Sequence, residues 1–164
     1  MSDGIKLAIM NDESLFQLLK EAKRKGRLFG SKALYRQVAP ISEDQLRQVE
    51  ARLACQLPED VRATLLALGA CEIDELYIHS TADIYAFDDE TGPMTGYVTF
   101  ASDVCGNYFA FDPKAKNSVA FYYCSHDPFG YAVIKGTFRE YLQAFVASGF
   151  DTVSLTKDLV LHES

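Results

Sequence analysis

The stretch ISEDQLRQVEARLACQLPEDVRATLLALG, residues 41–69, decides the fold because it predicts two short helices joined by a tight turn. Ser42 is placed to cap the first helix, and Gln45 can complete a capping box with it. Pro58 stands where the second helix should begin, since the amide that proline lacks would be unpaired there. Gly69 provides a left-handed stop for that helix. Each helix carries one apolar stripe, so the hairpin must bury both stripes against another part of the chain.

Beyond this hairpin the pattern changes from helical to strand-like. Short turns separate the apolar runs, which favours antiparallel pairing. The predicted strands are 76–79, 84–87, 97–101, 108–111, 119–124 and 131–134. Thr137 and Glu140 predict a second capping box, at the start of a late helix. We therefore expect an α+β fold: a mostly antiparallel sheet, with an N-terminal helical hairpin and a C-terminal helix packed against it.

Composition narrows the class of protein further. A length of 164 residues suits a single domain with a proper core. The apolar runs are too short to cross a bilayer, and the N-terminus lacks the apolar core of a secretion signal, so we expect a cytoplasmic protein with no membrane contact. Four cysteines are scattered without a Cys-x-x-Cys pair, which predicts buried, reduced thiols and no zinc site. They are Cys55, Cys71, Cys105 and Cys124.

Charge is divided unevenly along the chain, whose net charge is −7. Between Lys20 and Arg36 there are seven basic residues and one acid, whereas between Glu72 and Asp112 there are nine acids and no lysine or arginine. The basic segment follows a helix that Asn11 or Asp12 could cap, and its charges suit that helix's C-terminal end. A phosphate or nucleic-acid patch is the alternative. It lacks interleaved aromatic residues, and the acidic protein would repel nucleic acid, so we expect no nucleic-acid partner.

Three groups of residues resemble, in their order and spacing, the SUKH superfamily. They are the helical hairpin at 41–66, the stretch 100–112 and the start of the late helix at 137–142. That superfamily contains cell-wall-assembly-regulator-like proteins of fungi and many bacterial toxin-immunity proteins. The resemblance covers residues 40–147 and leaves 1–39 as an N-terminal helix and a basic segment.

Catalytic motifs are absent from the sequence. There is no nucleophile elbow, no phosphate-binding loop and no dinucleotide fingerprint. Cys124 and His126 form a conceivable dyad, but two residues so close at a strand-to-turn boundary would form one only by coincidence. His79 and Asp83 form a conceivable metal pair, but no third ligand stands at useful spacing. We therefore predict a protein that is not an enzyme and has no catalytic residues, metal or cofactor.

Binding explains the acidic region better than catalysis does. Carboxylates that share one face would attract a basic partner and reject an acidic one, and tyrosines can anchor such a contact. The ordinary alternative is a solvated acidic surface. The candidate partner-binding residues are Asp83, Asp88, Asp89, Glu90, Asp103, Asp112, Tyr85 and Tyr108. The resemblance implies a bacterial immunity protein that binds and neutralises a cognate basic toxin, such as a nuclease; the alternative is a regulatory or scaffold module without a toxin partner.

Overall fold

A computed structural model of the chain describes residues 10–25, 30–88, 92–115 and 120–162. Helices and strands are interspersed along this part of the chain. The helices are α1 (Asp12–Lys20), α2 (Glu43–Leu53), α3 (Glu59–Leu68), α4 (Phe138–Ala147) and α5 (Thr152–Thr156). The strands are β1 (Lys23–Lys25), β2 (Ser31–Ala33), β3 (Tyr35–Ala39), β4 (Ala70–Ile73), β5 (Leu76–Ile78), β6 (Tyr85–Ala86), β7 (Val98–Asp103), β8 (Tyr108–Phe111), β9 (Phe121–His126) and β10 (Phe129–Ile134).

The larger sheet has eight strands, in the order β10-β9-β8-β7-β5-β4-β3, with β6 paired to β7 beside β5. Each of these pairings is antiparallel. The α+β class and the antiparallel sheet are therefore confirmed. The helical hairpin, α2 and α3, lies within residues 41–69 as predicted, and α1 and the strands β1, β2 and β3 come before it in the chain.

The predicted helix ends are largely confirmed. Ser42 and Gln45 form a capping box at the start of α2, and Thr137 and Glu140 form another at α4. The second helix of the hairpin begins one residue later than predicted, at Glu59, with Pro58 as its N-cap. These caps satisfy amide groups that a helix start otherwise leaves unpaired.

Gly69 ends α3 in a conformation that other residues rarely adopt, with φ of +70°. A Cβ atom at this position would lie 2.4 Å from the carbonyl oxygen of Ala39. Only glycine allows this approach, which brings the end of β3 against the start of β4. The sharp stop thus sets the register between the hairpin and one edge of the sheet.

The helices cover one face of the sheet and form the main core with it. Aromatic rings dominate the contact between the central strands and α4. The ring centroids of Phe100 and Phe138 are 4.8 Å apart, and those of Phe109 and Tyr141 are 5.1 Å apart. Because strand side chains alternate between faces, the neighbours of these core residues point away from the helices. We call that opposite surface the outer face.

The N-terminal basic segment forms a structure that the sequence did not predict. β1 and β2 pair with each other in a separate two-stranded sheet, the β1–β2 ribbon, and all six of its residues are exposed. Arg24 holds the ribbon to the body of the protein through an ion pair of 2.6 Å with Asp74. Among the described helices, none combines the length and apolar character needed to cross a membrane.

The prediction of four buried thiols is wrong for Cys105, which is exposed in the turn between β7 and β8, and for Cys55, which is half-buried. Cys71 and Cys124 are buried as predicted. The difference has a simple origin, because the residues that surround Cys105 form a polar turn and leave no apolar surface to cover it.

Candidate functional site

Aromatic side chains gather on the outer face around β6 and β8. The ring of Tyr108 lies 6.5 Å from that of Tyr85 and 5.7 Å from that of Phe87, in edge-to-face geometry. Its neighbour along β8, Phe109, is fully buried on the helical side. The pleat of the strand thus places Tyr108 on the outer face, where it meets two side chains from a segment more than twenty residues earlier.

Tyr85 is 41% exposed, so its ring is available to a partner. Partial burial, a hydrogen bond with Tyr108 and the charge of Asp83 raise the pKa of Tyr85 to about 12. The phenol therefore keeps its proton at neutral pH. It presents apolar area and a hydroxyl to the same partner, a combination common at the centre of protein interfaces.

Asp83 and Asp88 are exposed and flank the aromatic group along the chain. Asp83 accepts a hydrogen bond of 2.5 Å from the Ser80 hydroxyl, which fixes the carboxylate beside β6. Asp88 directly follows Phe87 and has no described partner. Two of the predicted residues, Asp89 and Glu90, lie outside the described residues.

Asp103 is placed differently from these acids, because it is only 6% exposed. One carboxylate oxygen accepts hydrogen bonds from the amides of Cys105 and Asn107, both at 2.9 Å. The other accepts from the Tyr123 hydroxyl at 2.8 Å. This carboxylate holds the turn between β7 and β8 and has little surface to offer a partner.

Asp112 lies at the opposite end of β8 from Tyr108 and is half-buried. It accepts a hydrogen bond of 2.9 Å from the amide of Lys114. Burial raises the pKa of Tyr97 to about 12. The hydrogen bond with Tyr122 and the charge of Asp112 contribute to the same shift. The structure thus brings together Asp83, Tyr85 and Tyr108, with Asp88 next along the chain, and sets Asp112 apart beside a second tyrosine pair.

A small pocket opens on the outer face next to this group. Its volume is about 120 Å³. The lining residues are Phe87, Gly92, Met94, Tyr108, Cys124, Ser125, His126 and Phe129. Sequence reasoning missed Phe87, Met94 and Cys124 as members of the site. The alternation of Tyr122 and Cys124 with the inward-facing Phe121 and Tyr123 was the signal that could have placed Cys124 on this face.

A larger cavity, of about 610 Å³, lies on the helical side between the α2–α3 joint and the start of α4. Of its five charged lining residues, all but the exposed Glu59 are bonded within the chain. Asp60 accepts hydrogen bonds from the amides of Phe138 and Arg139, and the Arg139 guanidinium binds Asp12 and the carbonyl of Met10. These internal pairs leave little charge to recruit a ligand there.

Burial changes the pKa of two groups that the sequence analysis considered for catalysis or metal binding, Cys124 and His79. Burial raises the pKa of the Cys124 thiol to about 12, so it is protonated at neutral pH and is a poor nucleophile. Burial lowers the pKa of His79, whose Nε2 lies 3.1 Å from the Ser102 hydroxyl oxygen. Within the described ranges, no three histidine, cysteine, aspartate or glutamate side chains converge as metal ligands would.

The fold is that of an α+β protein, with acidic and aromatic side chains beside a small pocket on the outer face. The chain belongs to the SMI1/KNR4 family (SUKH-1), whose model matches residues 40–144. The expected SUKH resemblance is thereby confirmed over more than half of the chain. Members of this family are generally non-catalytic immunity or regulatory domains, and they include toxin-immunity proteins. Comparison with curated proteins gave no match, and comparison with solved structures gave none.

Proposed function

We propose that this chain is an immunity protein that binds a cognate basic toxin, such as a nuclease, and neutralises it without catalysing a reaction. Family membership supports the class of function. The arrangement of Asp83 and Asp88 around the contact between the exposed Tyr85 and the half-buried Tyr108 is the observation that carries the choice of surface.

Charge on the chain favours a basic partner at this surface. No lysine or arginine occurs between Glu72 and Asp112, so the segments that supply β5, β6, β7 and β8 have no cation of their own. The one arginine of the edge strand β3, Arg36, is paired with Glu72 of β4 at 2.5 Å. The guanidinium of Arg52 in α2 does lie against this segment, where it donates to the carbonyls of Thr81 and Ile84. The excess of carboxylates would still attract a cationic surface and speed its encounter.

Such a surface could inhibit a toxin simply by occupying the toxin's substrate-binding site. A toxin that acts on nucleic acid must hold phosphates in a basic groove, and a carboxylate-bearing surface can fill the same groove. Tyrosines between the carboxylates would supply buried contact area, on which the lifetime of the complex depends.

The test is a binding measurement with the protein encoded by the reading frame next to this one. Calorimetry at about 50 and 200 mM salt would compare the native chain with the double variant Asp83→Lys/Asp88→Lys. We expect at least a tenfold loss of affinity at low salt and a weaker dependence on salt, because rim charges act mainly through long-range attraction.

The matched control is Glu13→Lys/Glu59→Lys, which makes the same change of charge at two exposed positions on helices of the other side. An equal loss in both variants would show that only net charge matters. Unchanged affinity and salt dependence in Asp83→Lys/Asp88→Lys would remove these acids from the mechanism.

A further inference from the structure

The small outer-face pocket has the size of one side chain. At about 120 Å³ it is slightly smaller than an engineered cavity of about 150 Å³ that holds a benzene molecule. Its floor includes Met94 and Cys124, which are 4% and 3% exposed. One wall is Tyr108, and Phe129, 44% exposed, stands at the opening. An occupant of this size would be enclosed by apolar and aromatic atoms on several sides.

The chemistry of the lining selects a neutral occupant. No carboxylate is among the described residues that line the pocket. An ammonium or guanidinium group inside would therefore lose its hydration with only the aromatic rings to offset the loss. The two polar side chains of the lining, Ser125 and His126, lie at one side, and the His126 Nδ1 is 3.2 Å from the Asn107 side-chain oxygen. The thiol of Cys124 stays neutral because burial raises its pKa to about 12.

The surroundings of the pocket, in contrast, are anionic. Asp88 follows Phe87 on one side and Asp127 follows His126 on the other, and both acids are exposed. The occupant must therefore belong to a partner that is basic around an apolar side chain. Interfaces of this kind concentrate their affinity in one buried anchor with polar residues around it.

We propose that the pocket lined by Phe87, Met94, Tyr108, Cys124 and Phe129 receives one large apolar side chain, of leucine, methionine or phenylalanine size, from the basic partner. This proposal deepens the proposed function and rests on it for the identity of the partner. It adds a specificity element, because a basic protein that lacks a protruding apolar side chain would gain the attraction but not the anchor.

A pair of small molecules with one shape and two charges tests the chemistry of the pocket directly. The neutral probe is 3,3-dimethylbutan-1-ol and the cationic probe is choline, in which nitrogen replaces the quaternary carbon. The chain has three methionines, Met1, Met10 and Met94, so methyl-detected NMR provides a reporter inside the pocket and a control outside it. We expect the neutral probe to shift the Met94 methyl signal saturably in the millimolar range, with Met10 unaffected and choline at least tenfold weaker.

Two variants change the pocket by independent routes. Cys124→Leu fills it from the floor, and Phe129→Ala removes an exposed wall with little risk to folding. Both should weaken the response of Met94 at least tenfold, whereas Cys105→Leu, the same substitution at the exposed thiol, should leave it unchanged. Binding of choline equal to or stronger than that of the alcohol, no saturable shift, or an unchanged shift in both pocket variants would overturn the proposal.

The probe titrations test the pocket independently of whether the chain binds a toxin. If no basic toxin binds the chain, the Met94 titration still reports whether the pocket accepts a neutral side-chain analogue. If the titration fails while Asp83→Lys/Asp88→Lys weakens toxin binding, the acidic surface stands without an anchor pocket.

Discussion

Two aspartates of the acidic region show how the same residue type serves opposite purposes. Asp103 is buried and bonded to two amides and a tyrosine hydroxyl, whereas Asp88 is exposed beside the aromatic group. A buried carboxylate that is fully hydrogen-bonded stabilises its turn, but its removal leaves several donors without an acceptor. Exposed carboxylates act through solvent and contribute little to stability.

The substitution Asp103→Ala is therefore expected to lower the free energy of unfolding by about 3 kcal/mol, because it strands the Tyr123 hydroxyl and two backbone amides. Asp88→Ala is expected to change it by less than about 0.5 kcal/mol. Urea denaturation followed by circular dichroism measures both. Equal effects of the two substitutions would contradict the structural role assigned to Asp103.

Buried His79 makes the stability of the folded protein depend on pH, and the direction of this dependence can be worked out. Burial lowers its pKa below the ordinary value of 6.5, although the nearby Asp83 carboxylate partly opposes this. Between the lowered pKa of the folded chain and 6.5, the unfolded chain therefore binds a proton at this site that the folded chain largely does not. Stability then rises with pH in that window, since the unfolded state binds more protons.

We expect the free energy of unfolding to fall as pH is lowered from 7.5 through 6.5 towards 5.5, and the substitution His79→Gln to flatten this fall. His126→Gln is the control, because His126 is exposed. Denaturant titrations at each pH supply the measurement. A slope that is unchanged by His79→Gln would assign the dependence to other groups.

At the level of elements, α3 and α4 are joined by a capping contact between residues far apart in the chain. An Asp60 carboxylate oxygen accepts hydrogen bonds from the amides of Phe138, at 2.5 Å, and Arg139, at 3.3 Å. Asp60 lies in the first turn of α3, yet it supplies an acceptor to the N-terminus of α4 in addition to the box that Thr137 and Glu140 form. Negative charge at that helix end is favourable as well.

Loss of this contact should be measurable. Asp60→Ala is expected to cost about 1 to 2 kcal/mol of stability, in the range of other helix caps, whereas Glu59→Ala, one residue earlier and exposed, should cost less than half as much. Thermal and urea unfolding of the two variants provide the comparison. A similar loss of stability in both variants would mean that Asp60 contributes only as a negative charge in the first turn of α3.

The elements that sequence could predict are those whose signals are local. The caps of α2 and α4, the stop at Gly69 and strand β8 each depend on residues within a few positions of one another. β3 and the ribbon strands escaped prediction because they show no burial alternation. Three of the five residues of β3 and all three of β2 are polar or small, and most of the residues of these strands are exposed.

The candidate site divides in the same way. The turn around Asp103 was predictable, and an aspartate in such a turn often bonds its own backbone, which explains its burial. The contact of Tyr85 with Tyr108 could not be predicted from the sequence, because it arises only when β6 and β8 pair with β7 on its two opposite sides. The pocket depends on the same pairing and on the neighbouring strands β9 and β10, so no local pattern reveals it.

At the scale of the whole molecule, stability should be distributed unequally between the two sheets. β8 lies between β7 and β9 and carries the fully buried Phe109. The β1–β2 ribbon has no third strand and no buried residue, and two-stranded sheets of this kind are marginal in water. Its described attachments are the Arg24–Asp74 ion pair and backbone hydrogen bonds at Leu34 to Ala22 and Asp74.

Native-state hydrogen exchange should therefore separate the two regions. We expect the hydrogen-bonded amides of the ribbon to exchange through local opening, with protection at least a hundredfold below that of β8, whose amides should exchange only when the protein unfolds globally. The substitution Arg24→Ala should lower the protection of the ribbon further and leave β8 unchanged, because the ion pair holds only the ribbon to the body of the fold. Protection of the ribbon equal to that of β8 would mean that the basic segment is an integral part of the cooperative core, in spite of its exposure.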